Sequence, residues 1–260
     1  MSSASATGPA LSDARVLFPG AGDQVLEGLL EWPEAGPGEG KARRVLGGVV
    51  IAHPYPPHGA TMTQPVVYRI ARASRRRGLA TLRFNFRGVE GSSGTFSGTE
   101  EHRDVEAAAA FLSNRLTVAG RGSKFAADDR PPEGHGAGSC PAAPPIALAG
   151  YSFGSVMAAR AAAGSIPVRA LVLVGFAVSW EGTPADTYTR LARFRGPVLA
   201  VCAEDDELGY PEDVEGVLAQ LGLDFSLSVV RGAGHFLEGK HREVAELAAS
   251  FLERNLGTRE

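Results

Sequence analysis

The stretch Ile146-Ala147-Leu148-Ala149-Gly150-Tyr151-Ser152-Phe153-Gly154-Ser155 decides how the rest of the chain is read. Its first half is a short apolar run of the kind a buried strand requires. Its second half is G-x-S-x-G, followed by small residues that read as a helix from about Gly154 to Ala163. A serine at so tight a strand-to-helix turn takes strained backbone dihedrals, and side chains at the two glycine positions would meet neighbouring backbone. The turn lifts the hydroxyl above the carboxyl ends of the strands. The N–H of Phe153, at the helix start, can donate to an oxyanion. The bare motif arises easily in a chain with 33 glycines, and an idle serine in a Gly-rich turn is the alternative. The strand before it and the helix after it give the functional reading its weight.

Outward from this turn, apolar strands alternate with helical patterns. The strands are Val45–Ala52, Leu79–Phe86, Ala170–Val174, Val198–Ala203 and Phe225–Val230; the helices are Gln64–Arg77, Glu100–Leu112, Pro211–Leu221 and Lys240–Leu256, with a short one near Leu191–Phe194. Continuous apolar strands separated by helices predict an α/β fold, a mostly parallel sheet covered on both faces. Val16–Phe18 and Val25–Trp32 flank Pro19-Gly20-Ala21-Gly22 and predict an antiparallel N-terminal hairpin at one edge. The expected organisation is a flexible N-terminus over 1–13 and a single domain over 14–257. The aperiodic Gly/Pro-rich stretch Val118–Pro145 reads as a flexible insertion, since loops of that length are unusual inside a compact domain.

Composition removes several classes of function. The 260 residues are 44% hydrophobic, enough for one sizeable core, and carry a net charge of −3 from 26 basic and 29 acidic side chains. No basic excess is present to neutralise phosphates, so no nucleic-acid partner is expected. The longest apolar runs, Val45–Ala52 and Ala170–Val178, fall well short of the roughly 20 residues of a membrane helix, so no membrane span is expected. Met1–Asp13 has neither the charge nor the apolar run of a signal peptide. Cys140 and Cys202 have no Cys or His at ligand spacing, which argues against zinc, and their settings argue against a disulfide. The expectation is a reduced, cytoplasmic protein with no metal or cofactor, its oligomeric state open.

A serine hydroxyl needs a base beside it to act as a nucleophile. His235, in Gly232-Ala233-Gly234-His235-Phe236, follows a strand and precedes the last helix, among small neighbours that leave its ring free to enter a cleft. His241 reads as solvent-facing, and His102 and His135 as uninvolved. The base needs a carboxylate to fix its tautomer, and Glu204-Asp205-Asp206-Glu207 comes directly after the strand Val198–Ala203. By position any one of the four fits, unless the run is a solvated turn. The chain order is serine, acid, histidine.

With these residues in place, the sequence from about Val16 to Leu256 resembles the α/β-hydrolase superfamily, and within it the small, lidless bacterial serine hydrolases related to dienelactone hydrolases. The resemblance rests on His53-Pro54-Tyr55, on Leu82–Gly88 with Gly91-Ser92-Ser93-Gly94, on Gly150–Gly154, on Ala203-Glu204-Asp205-Asp206 and on Gly232–Phe236. It implies a triad of Ser152, Asp206 and His235. Ala203 stands where the family usually has glycine, which puts the choice of Asp206 over Asp205 at issue. The resemblance also implies a second oxyanion donor in the loop after the third strand. Pro54 has no N–H, which leaves that of Tyr55 as the nearest; His53 reads as a brace for the loop. Between Gly175 and Pro197 there is no room for a large helical cap. Phe176, Trp180 and Tyr188 are the aromatics available there to line a substrate pocket or simply to pack. The implied activity is cleavage of an ester, thioester or related acyl bond in a small-molecule substrate through an acyl-enzyme. Acyl transfer by the same triad, and a non-catalytic interaction protein on the same fold, are the rivals.

Overall fold

A computed structural model describes residues 13–34, 45–120 and 144–257. The expected flexible N-terminus up to residue 12 and most of the expected insertion, residues 121–143 with His135 and Cys140, lie outside the described residues.

Eight strands form one sheet: β1 (Ala14–Pro19), β2 (Val25–Glu31), β3 (Gly47–Ala52), β4 (Leu79–Phe84), β5 (Ile146–Tyr151), β6 (Val168–Val174), β7 (Val198–Asp205) and β8 (Phe225–Gly234), in the spatial order β1-β2-β4-β3-β5-β6-β7-β8. The hairpin β1–β2 is antiparallel and β2 pairs antiparallel with β4; every other neighbouring pair is parallel. The helices are α1 (Pro65–Arg76), α2 (His102–Gly120), α3 (Phe153–Ala161), α4 (Thr187–Leu191), α5 (Pro211–Gln220) and α6 (His241–Gly257). Alternation along each strand assigns the two faces of the sheet. Val50, Leu148, Leu171 and Leu173 pack with α2, α3 and α5, whereas Val49, Ile51, Ala147 and Val172 pack with α1 and α6. Strands buried on both faces must be apolar throughout, which is why they read as unbroken runs.

Helix α2 and strand β8 extend furthest beyond their sequence patterns, while β1, β6 and β7 gain only one or two residues at an end. Helix α2 continues to Gly120, so residues 118–120, expected to begin the insertion, are helical. Ser113, Asn114 and Arg115 dilute the pattern, but Leu116 is fully buried and carries the helix on. Strand β8 runs on to Gly234, past Gly232, whose N–H donates to Glu204 Oε2 at 2.8 Å.

Charged residues in apolar strands are satisfied by partners distant in sequence. Arg83, on β4, donates to Glu31 Oε2 from both Nε and Nη2, and from Nη1 to the Met62 carbonyl at 3.0 Å. Asn85 accepts the Met62 N–H at 2.9 Å and donates to Glu27 at 2.8 Å. Arg83 and Asn85 thus hold both backbone groups of Met62, and with them the loop that follows β3. Beyond β4, the Arg87 guanidinium grips Asp104 of α2 through Nε and Nη2, with a shortest contact of 2.6 Å, and Asp104 also accepts the Arg87 N–H. Asp104 is fully buried.

Removing one member of a buried ion pair strands the other charge, at a cost of about 3–5 kcal/mol. Asp104→Ala is expected to lower the unfolding free energy by about that amount in urea titration. Arg103→Ala, which breaks the exposed pair with Glu100, should cost less than about 1 kcal/mol.

Candidate active site

Ser152 sits between β5 and α3 with φ 55° and ψ −121°, a left-handed conformation that non-glycine residues avoid. Contacts on all sides hold it there. The Ser152 N–H donates to the Val174 carbonyl at 2.9 Å, and its own carbonyl accepts the Ser155 N–H at 2.8 Å and the Ser155 hydroxyl at 2.6 Å. The flanking glycines are sterically required. A Cβ at Gly150 would collide with the Gly154 carbonyl, and one at Gly154 would strike the Ala52 carbonyl and lie 2.6 Å from that of His53. The turn therefore packs directly on the end of β3.

The other polar residues arrive at the carboxyl ends of neighbouring parallel strands, where open α/β sheets bind ligands. Asp206 follows β7, His235 follows β8 and Tyr55 lies in the loop after β3. The Ser152 hydroxyl is 2.8 Å from His235 Nε2, and His235 Nδ1 is 2.7 Å from Asp206 Oδ1. That arrangement makes Nδ1 the protonated nitrogen, donating to the carboxylate, while Nε2 accepts from the serine. Asp206 is fully buried and also accepts the Leu208 N–H at 3.1 Å. Glu204, Asp205 and Glu207 are exposed, and none of them reaches the imidazole. Cys202, on β7, is buried and its thiol is pushed up to about 12, by burial first and by Asp206 second.

Tyr151 has a part that the sequence did not signal. Its hydroxyl donates to the His235 carbonyl at 2.9 Å and its ring stacks on the imidazole at 6.0 Å. Burial, then the nearby Asp206 and Glu238 charges, raise its pKa, so it remains a donor. His53 is fully buried. Its Nε2 accepts the Phe86 N–H at 3.2 Å and its Nδ1 donates to the Pro54 carbonyl at 2.8 Å, which ties the loop after β3 to the end of β4.

Ser152 and His235 open onto a cavity of about 470 Å³, with Tyr55, Phe153 and Trp180 forming an aromatic wall. The Tyr55 ring lies 5.6 Å from Phe153 and 5.3 Å from Trp180, edge to face. Of Phe176, Trp180 and Tyr188, the aromatics expected to line a pocket, Trp180 alone lines this space. Phe176 is fully buried in the core, and the Tyr188 hydroxyl is spent on the Val178 carbonyl at 3.0 Å. His58, Gln64, Phe236, Glu238 and His241 complete the rim. His241, read as solvent-facing, is brought to the rim because Nε2 bonds the Phe236 carbonyl at 3.1 Å, and Phe236 itself is 68% exposed. The position of Phe236 directly after the histidine was the signal available for it. Among the described residues, no group of His, Cys, Asp or Glu could hold a metal ion, and no helix is long and apolar enough to cross a membrane.

No protein-family model matches the sequence, and a search of curated proteins finds no match. Solved structures do match. An α/β serine hydrolase homologue from Coxiella burnetii is 27% identical, covering 94% of this chain and 99% of that one, with a TM-score of 0.71. A lidless α/β serine hydrolase from Xanthomonas campestris is 22% identical, covering 98% and 100%, with a TM-score of 0.72. An esterase from Pyrococcus furiosus is 14% identical, covering 95% and 92%, with a TM-score of 0.70. The chain has the α/β-hydrolase fold of these proteins, with an antiparallel N-terminal hairpin and only the short α4 where a cap would stand.

Burial lowers the His53 pKa from its ordinary 6.5 to about 4, against the opposing effect of the bond to Pro54. The unfolded chain therefore binds a proton that the folded chain refuses. The stability this neutral ring contributes is complete above pH 6.5 and is lost as pH falls toward 4, with a limiting slope of about 1.4 kcal/mol per pH unit. His102, also lowered by burial, acts in the same direction. His53→Asn should flatten the fall of unfolding free energy between pH 6.5 and 4, measured by urea titration across that range.

Proposed function

We propose that the protein is a serine hydrolase that cleaves an ester, thioester or related acyl bond through an acyl-enzyme. The observation that carries this reading is the unbroken relay from Asp206 through His235 to the Ser152 hydroxyl, with links of 2.7 and 2.8 Å, opening onto the cavity. The names of the structural neighbours, serine hydrolases and an esterase, support the same class of reaction.

In this mechanism Ser152 Oγ attacks the acyl carbon while His235 Nε2 takes its proton. The Asp206 carboxylate holds the imidazole in the tautomer that leaves Nε2 basic, and stabilises the imidazolium. The oxygen of the tetrahedral intermediate accepts the N–H groups of Phe153 and Tyr55, both of which belong to residues lining the cavity beside Ser152. Collapse breaks the bond to the leaving group, which takes the proton from His235. Water then enters, loses a proton to His235 and attacks the acyl-enzyme; a second collapse releases the acid and restores Ser152. Tyr151, by fixing the His235 backbone, keeps the imidazole in line with the serine. Acyl transfer would use the same residues with an alcohol or amine in place of water. Among the described residues no large cap covers the serine, which favours water as acceptor.

A fluorophosphonate probe is expected to label the wild-type chain and not Ser152→Ala. Asp206→Asn should lower kcat on a 4-nitrophenyl ester by about 10⁴, as loss of the orienting carboxylate does in serine proteases. Asp205→Asn should keep most of the activity. The opposite ranking of the two aspartates, or full labelling of Ser152→Ala, would sink the assignment.

A further inference from the structure

The charges around the cavity are lopsided. Apart from the histidines, the ionisable side chains on its wall are Tyr55, Tyr151 and Glu238, and Glu238 is the one carboxylate among them. No lysine or arginine lines it among the described residues. The nearest base along the chain, Lys240, faces Glu243 at 3.9 Å. His241 turns its Nε2 to the Phe236 carbonyl, and His58 sets its ring against Tyr55 at 5.1 Å. The aromatic wall of Tyr55, Phe153 and Trp180 borders the same space. A carboxylate or phosphate entering this space would lose water with no lysine or arginine of the described residues on the wall to pair with, and would face the Glu238 carboxylate as well.

We propose that this cavity selects acyl donors that bear no negative charge, and that Glu238 is the residue that enforces the selection. The inference rests on the serine-hydrolase reading and narrows it. The substrates are uncharged or cationic esters with an apolar acyl or alcohol group against the aromatic wall. Thioesters of phosphate-bearing carriers, and esters of dicarboxylic acids with one free carboxylate, are excluded. A like charge at the mouth of the site disfavours approach and binding alike, so it acts on kcat/KM and weakens as salt screens it.

Three 4-nitrophenyl esters of similar length test this at pH 8: those of methyl adipate, of adipate with its free carboxylate, which is too distant from the ester for rapid self-cleavage, and of 6-trimethylammoniohexanoate. The wild-type protein should prefer the methyl adipate ester over the free carboxylate by about tenfold or more in kcat/KM. The cationic ester should not be penalised. Reading the anionic-to-neutral ratio within each variant cancels any general effect on catalysis. That ratio should rise several-fold in Glu238→Gln, further in Glu238→Lys, and not in Glu215→Gln, which makes the same change in net charge at an exposed position off the cavity. In 0.5 M NaCl the wild-type ratio should move toward that of Glu238→Gln. Turnover of the anionic ester within twofold of the neutral one, or a ratio indifferent to Glu238→Lys, would overturn the proposal. Failure to hydrolyse any of the three, with no Ser152-dependent labelling, would instead overturn the hydrolase reading and take the proposal with it.

Discussion

The approach of the Gly154 backbone to the carbonyl oxygens of Ala52 and His53 is the constraint on which the rest depends. It seats the start of α3 on the end of β3, and no side chain fits between them. With that contact made, Ser152 has nowhere to relax, and its positive φ is held by packing and by hydrogen bonds to Val174 and Ser155. The strain is useful because it points the hydroxyl out of the sheet, toward residues that come from β7 and β8. The same contact brings the loop after β3 beside the serine, so Tyr55 and Phe153 border one cavity.

A second layer of structure keeps that loop from drifting. Arg83 and Asn85 hold Met62 by its carbonyl and its N–H, and His53 ties Pro54 to Phe86. The loop beyond β4 is fastened by the Arg87–Asp104 pair and carries Phe96, whose ring meets Tyr55 at 5.5 Å and Phe153 at 5.4 Å. These buried charges contribute little to stability compared with an apolar core of equal volume. Their effect is geometric: directional bonds give a loop one position where apolar contacts alone would permit several.

Much of this was legible in the sequence because the signals were local. Parallel strands buried on both faces leave unbroken apolar runs, and the strained serine turn needs glycine at two fixed offsets from Ser152. The ends of α2 and β8 were not legible, since Leu116 and Gly232 are held by partners elsewhere in the chain. The aromatics of the Gly175–Pro197 segment failed for a related reason. In an irregular stretch no period tells which side of the backbone faces the core, so Phe176, Trp180 and Tyr188 looked equivalent although Trp180 alone reaches the cavity. Arg83 carried a signal that is readable in principle: an arginine inside an otherwise apolar strand must find a buried acid, though which acid depends on the topology. The acidic run after β7 is similar. Four neighbouring carboxylates differ only in which one turns inward, and Asp206 does so while the other three remain exposed.

The residues that meet at the serine lie far apart along the chain, at positions 55, 152, 206 and 235, each at the tip of a different parallel strand. Parallel neighbours cannot be joined by a tight hairpin, so each pairing must close a long loop before its contacts repay the lost entropy. The hairpin β1–β2 can form early from local contacts, but it contributes nothing to the relay. The pocket is assembled from the part of the sheet with the largest loops to close, and the imidazole meets the hydroxyl only when β5 through β8 lie side by side. On refolding, recovery of function should therefore trail the recovery of secondary structure. A chain caught midway would hold its strained serine turn with no imidazole beside it, so the Ser152 hydroxyl gains its partner only at the last stage of assembly.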